Sequence, residues 1–182
     1  MLGPVELGSG EFVFFIPQGG TPELHGRFLE VLKDVWQRVP LPARTIILEY
    51  HRRVYHCDPR VILGARINDK WPIAMAGPEG SLLWCDFLRI LDLPGKDAWA
   101  VVVMGEELAH AFLIANQHPS HISKPPNDSP ASPEYQAWDK AREDAMKEVL
   151  YQWPFDRSEH ENTLEWVTKT KGGLDSSSIV TA

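Results

Sequence analysis

The sequence predicts an α+β domain, with a small mixed sheet packed on a central helix and a second helix towards the C-terminus. Three observations carry this expectation. Short clusters of β-formers bounded by Gly and Pro fill the first half of the chain; an apolar run from Asp97 to Gln117 repeats at helical spacing; and helical spacing returns from Glu134 to Gln152 after a proline-rich stretch. With 182 residues and 43% hydrophobic content, the chain is long enough to bury a substantial core. One domain is expected over residues 1–168, followed by a polar, disordered tail over 169–182.

The elements follow in order. Glu11-Phe-Val-Phe-Phe-Ile16, between Gly10 and Pro17, reads as a strand. After the turn at Gln18-Gly-Gly20, Thr21 takes an N-cap position and Pro22 the first helical one. Phe28, Leu29, Val31, Leu32, Val35 and Trp36 then give an apolar stripe that ends by Pro40. Thr45–Tyr50 and Arg60–Arg66 read as strands, as do Trp71–Ala76 or Ser81–Cys85. Asp97 caps the long helix, in which Trp99, Val102, Val103, Glu106, His110, Leu113 and Ile114 recur at three and four. Five prolines among serines over 119–133 predict a loop, of a length that suits a lid or flap. Tyr135, Trp138, Ala141, Ala145 and Val149 mark the second helix, which breaks at Trp153-Pro-Phe-Asp156. A short helix with Leu164, Trp166 and Val167 follows.

Charge and motif content narrow the function. The 18 basic and 25 acidic side chains give a net charge of -7, so nucleic-acid binding is not expected. No apolar stretch is long enough to span a bilayer, and the chain is expected to be soluble and cytoplasmic, with Cys57 and Cys85 as free thiols. No Gly-rich phosphate loop, nucleophile elbow or dinucleotide fingerprint is present.

Chemistry concentrates in Gly105-Glu-Glu-Leu-Ala-His110. Glu106 and His110 stand four apart, Glu107 and His110 three apart, so each pair shares a helix face. An ordinary polar pair on a half-exposed helix would give the same spacing. The apolar flanks Val101–Met104 and Ala111–Ala115 favour a site instead, because carboxylates in such surroundings are usually paired or metal-bound. The stretch reads as the zinc-protease motif His-Glu-x-x-His with glutamate in place of its first histidine. A di-iron bundle would need a second Glu-x-x-His helix, and the first half of the chain has none.

Glu107-Leu-Ala-His110, then Glu143-Asp-Ala145 on the next helix, then Trp153-Pro-Phe-Asp156, follow one another as in the zincin-like metallopeptidase family of the ImmA/IrrE-like, phage and bacterial type, which this chain resembles over about Ile46 to Trp166. The resemblance implies a zincin-like fold, with Glu107 as catalytic general base, His110 as a metal ligand, and Glu143 or Asp144 as the third ligand. Glu106 stands where the family has its first histidine. A carboxylate there adds negative charge and favours harder ions than zinc, so the expected cofactor is zinc or another divalent metal, weakly bound or absent.

The expected function is a metallopeptidase-like pseudoenzyme acting as a binding or regulatory module. The alternatives are an active metal-dependent hydrolase using Glu106 as an unusual ligand, and a phage structural or interaction protein. Seven tryptophans suggest a protein partner or homo-oligomer if Trp36, Trp71, Trp84, Trp138 and Trp166 share a surface patch. His118 and His121 read as helix-end and loop residues, and His51, His56 and Cys57 as non-ligands for want of a matching second pair.

Overall fold

The computed structural model describes residues 3–57, 74–76, 80–85, 97–123, 129 and 131–162. Strands β1 (Gly3–Gly8) and β2 (Glu11–Gln18) form an antiparallel hairpin. At its turn Gly10 takes φ +74°, a value that suits a residue without Cβ, and its N–H donates to Glu6 Oε1 at 2.9 Å. β2 is the expected strand. β1 was not legible, because Gly3, Pro4 and Gly8 dilute its β-formers.

Two helices cross from β2 to a parallel neighbour. In α1 (Pro22–Arg38) the Thr21 Oγ1 accepts the Leu24 N–H at 3.3 Å; of the expected stripe Phe28, Leu32, Val35 and Trp36 are buried, and Leu29 and Val31 are half-buried at its edge. Helix α2 (Leu41–Tyr50) corrects the strand expected at Thr45–Tyr50. Pro40 and Pro42 set its first turn, and the Thr45 hydroxyl donates back to Leu41 O at 3.1 Å. Ala43 and Ile47, four apart, are both buried, and that burial outweighs the few tenths of a kcal/mol per residue by which Thr-Ile-Ile disfavours helix. The Glu11 carboxylate ties the three elements together by accepting from Trp36 Nε1 at 3.2 Å and Arg44 Nη1 at 3.0 Å.

Strands β3 (Arg53–Cys57), β4 (Ala74–Ala76) and β5 (Ser81–Cys85) complete a mixed sheet in the order β1-β2-β3-β5-β4. β2, β3 and β5 are parallel, and each edge strand is antiparallel to its neighbour. The register aligns Phe15, Val54 and Leu82 in one row of the face that packs on the helices. Phe12 and Phe14, 54% and 57% exposed, lie on the opposite face. The strand expected at Arg60–Arg66 lies outside the described residues.

Helix α3 (Asp97–Ala115) packs on α1, α2, β4 and the later helix α5 (Pro133–Leu150), and is buried on most sides, as its composition predicts. Its end is a Schellman turn: the His118 N–H donates to Leu113 O at 2.9 Å and the Gln117 N–H to Ile114 O at 3.0 Å. A short helix α4 (Pro119–Ile122) occupies the start of the stretch expected to be a flap. In α5 the Ser132 Oγ accepts the Tyr135 N–H at 3.0 Å. Trp153 and Phe155 then turn the chain back into the core before a helical turn at 157–162. The expected helix around Leu164–Val167 and the tail lie outside the described residues.

The tryptophan patch needs correction. Trp36 and Trp84 are fully enclosed and Trp138 is half-buried, while Trp71 and Trp166 lie outside the described residues. Large indoles at the sheet–helix interface fill core volume rather than surface. No helix among the described residues is long and apolar enough to cross a membrane.

Candidate functional site

The site is built where α3, α4, α5 and the 157–162 turn meet. α3 presents Glu106 and His110 on one face, one turn apart, and α5 presents Glu143 opposite them. His110 Nε2 lies 3.6 Å from Glu143 Oε1. Close approach of the layers depends on Gly105, where a Cβ would stand 2.8 Å from the Phe155 ring and 3.2 Å from Leu150 Cδ1. The structure thus brings together three of the expected residues, Glu106, His110 and Glu143. Asp144 instead forms an exposed ion pair with Lys140 of its own helix. Glu107 is half-buried, next along α3.

Four residues join this group without having been expected there. His160, 1% exposed, donates from Nε2 to Glu106 Oε1 at 2.5 Å, since a carboxylate oxygen accepts. Its Nδ1 then accepts the Tyr151 hydroxyl at 2.7 Å. His121 lies on the other side, with Nε2 2.8 Å from His110 Nδ1 and Nδ1 2.8 Å from Ser120 Oγ. The result is a polar array through an otherwise apolar region, in which Tyr151, His160 and Glu106 form one arm and Glu143, His110, His121 and Ser120 the other.

Electrostatics keep His110 and His121 neutral. Burial pushes His110 down to about 3, with the neighbouring His121 and the Arg142 guanidinium adding to it. Burial likewise lowers His121 to about 4, again with help from Arg142. The Glu143 carboxyl is raised, first by burial and then by the nearby Glu106 and Asp139. Neutral imidazoles can each donate from one nitrogen and accept at the other, which suits the relayed bonding between His110 and His121.

These positions were compared with the ligand set that the resemblance implies. Donors about 2.1 Å from a tetrahedral zinc stand about 3.4 Å apart. His110 Nε2 and Glu143 Oε1, at 3.6 Å, suit that spacing. Glu106 does not complete it, because its oxygen is in direct hydrogen-bond contact with His160. Among the described residues no three His, Cys, Asp or Glu side chains are disposed to hold one metal ion. As placed, the residues do not fit a zinc centre.

The remaining histidines do other work. His51 donates from Nε2 to Ala111 O at 3.1 Å, and His56 stacks on Phe28 at 4.3 Å, so both are core residues. A cavity of about 430 Å³ opens beside β1, β2 and α1. His25 lines it, but engages both ring nitrogens, with Gly19 O at 2.5 Å and His56 Nδ1 at 2.8 Å.

Sequence reasoning found the α3 and α5 members through helical spacing. It missed His160 because 50 residues separate it from His110 and nothing in Ser158-Glu-His-Glu161 marks it as buried. His118-Pro-Ser-His121 carried a usable signal: two imidazoles three apart, directly after the helix that bears His110. No family model, curated protein or solved structure matches this chain.

Proposed function

We propose that this protein is a metallopeptidase-like module on a zincin-like scaffold, whose metal site is degenerate and which serves in binding or regulation rather than peptide hydrolysis. The observation that supports this reading most directly is the state of Glu106. It occupies the position of the motif's first histidine, yet its carboxylate oxygen is bonded within the chain to a buried imidazole at 2.5 Å. Hydrolysis in a zinc protease requires three protein ligands and an open position for water. The convergence of His110 and Glu143 from two helices supports descent from such a site, and the bonded Glu106 supports its loss.

The test is elemental analysis of protein purified without chelator, with zinc calorimetry and casein hydrolysis for the native chain and for Glu106→His. The native protein is expected to carry little zinc and to leave casein intact. Glu106→His restores a neutral imidazole and removes a negative charge, so zinc affinity is expected to rise by on the order of tenfold or more. Near-stoichiometric zinc in the native protein, or casein cleavage by it, overturns the reading.

A further inference from the structure

We infer that the face of the sheet turned away from the helices is a homodimer interface, on which a second copy of this chain seats the same face about a two-fold axis running along β2. This face lies on the other side of the sheet from the helices. The inference therefore goes beyond the reading of the α3–α5 site and does not rest on it.

The strands alternate between two faces. Leu7, Val13, Val54 and Leu82 enter the core beneath the helices. The intervening positions form the other face, where Pro4, Glu6, Phe12, Phe14 and Arg53 are exposed and Ile16 and Tyr55 are half-buried. Phe12 and Phe14 stand two residues apart on β2, so their rings line one face about 7 Å apart. Covering two such rings is favourable in proportion to the apolar area removed from water. The topology points the same way. β2, β3 and β5 are parallel, and parallel strands are as a rule covered on both faces of their sheet. The helices cover one of them.

Charge identifies the cover as a second copy. The register sets Glu6 beside Phe12 on the β1 side and Arg53 beside Phe14 on the β3 side, so opposite charges flank the two rings. A two-fold axis along β2 lays Phe12 and Phe14 of one copy over the same residues of the other, and it carries β1 of each copy over β3 of the other. Glu6 of one copy then faces Arg53 of the other, offset by about 7 Å along the strands and across sheets that pack about 10 Å apart. A glutamate and an arginine side chain together span that gap, and the rotation makes the contact twice. The Glu6 carboxylate is already held at the hairpin, since Oε1 accepts the Gly10 N–H at 2.9 Å, and it retains acceptor capacity for a guanidinium. Because the contact is confined to β1, β2 and β3, association is expected in the micromolar range rather than tighter.

The experiment is sedimentation velocity at neutral pH and about 0.1 M salt, over a hundredfold range of concentration through the micromolar region. The full chain is compared with Phe14→Glu, Glu6→Lys, Arg53→Glu and the double variant Glu6→Lys/Arg53→Glu. Near-ultraviolet circular dichroism checks that each is folded. The native chain is expected to pass from monomer to dimer and no further, because a two-fold contact closes on itself. Phe14→Glu is expected to stay monomeric throughout. Each single charge reversal is expected to weaken dimerisation by about tenfold or more, since it sets like charges opposite one another at two places. The double variant restores opposite charges and is expected to regain most of the native affinity, which keeps the question answerable should Phe14→Glu fail to fold. A native chain that is monomeric at every concentration overturns the inference and leaves the face to another partner. A dimer untouched by Phe14→Glu places the contact elsewhere and overturns it too. A double variant no tighter than the single reversals overturns the two-fold arrangement.

Discussion

Gln117 takes φ 55° at the end of α3, in the left-handed region where a Cβ crowds the following carbonyl. The Schellman bonds from Gln117 and His118 hold it there, and its own side chain adds a bond from Nε2 to Ile114 O at 3.3 Å. Relief of the left-handed strain outweighs loss of that long, half-exposed bond and the greater freedom of glycine in the unfolded chain. Gln117→Gly is therefore expected to stabilise the fold by about 0.5–1 kcal/mol. Thermal melts of the two proteins measure this, and a lower midpoint in the variant would show that the side-chain bond dominates. The same residue decides where His118 and His121 fall, since the helix must stop before α4 for His121 to reach back to His110.

At the scale of elements, the glycine that lets α3 meet the returning chain is Gly105, whose absent Cβ leaves room for the Phe155 ring. Gly105→Ala would gain helix propensity of about 1 kcal/mol, yet a Cβ at 2.8 Å from aromatic carbons forces the ring or the helix to move. The clash is expected to win, giving net destabilisation of about 1–3 kcal/mol in urea unfolding, and an unchanged or raised midpoint would mean that Phe155 rotates freely. Helices α3 and α5 were legible because their apolar residues recur at helical spacing, and α1 because Thr21 and Pro22 also mark its start. Helix α2 was not: ten residues with three consecutive β-branched side chains read locally as strand, and only the burial of Ile47 between sheet and α3 decides otherwise. The pairing of β3 between β2 and β5 was equally hidden, since parallel neighbours are set by crossovers and not by any short-range signal. The α3 and α5 side of the site could be read in advance, whereas the place of His160 beside Glu106 depends on a chain reversal that the sequence does not mark.

Across the whole molecule, imidazoles are buried in two layers. His51 sits against α3 and His56 between Phe28 and the sheet, and His56 Nε2 meets no hydrogen-bond partner among the described residues. Burial lowers His51 from 6.5 to about 4, partly offset by backbone hydrogen bonds, and lowers His56 from 6.5 to about 3, with the neighbouring His25 adding to it. Above 6.5 both are neutral whether the chain is folded or unfolded, and they add no pH dependence there. Below it the unfolded chain takes up protons that the folded chain refuses, so stability is lost as pH falls towards these folded-state values. Each group contributes a slope of up to about 1.4 kcal/mol per pH unit in that range. Carboxylates titrate mostly below about pH 5, which leaves the interval from about pH 6.5 to 5 for the histidines. Urea unfolding across that interval is expected to show stability falling with acidification at a constant denaturant slope. His56→Phe, which keeps a ring stacked on Phe28, should reduce the pH slope whatever it does to absolute stability. A stability that holds level or rises between about pH 6.5 and 5 would show that these imidazoles are protonated inside the fold, and that the core opens to water where it is tightly closed here.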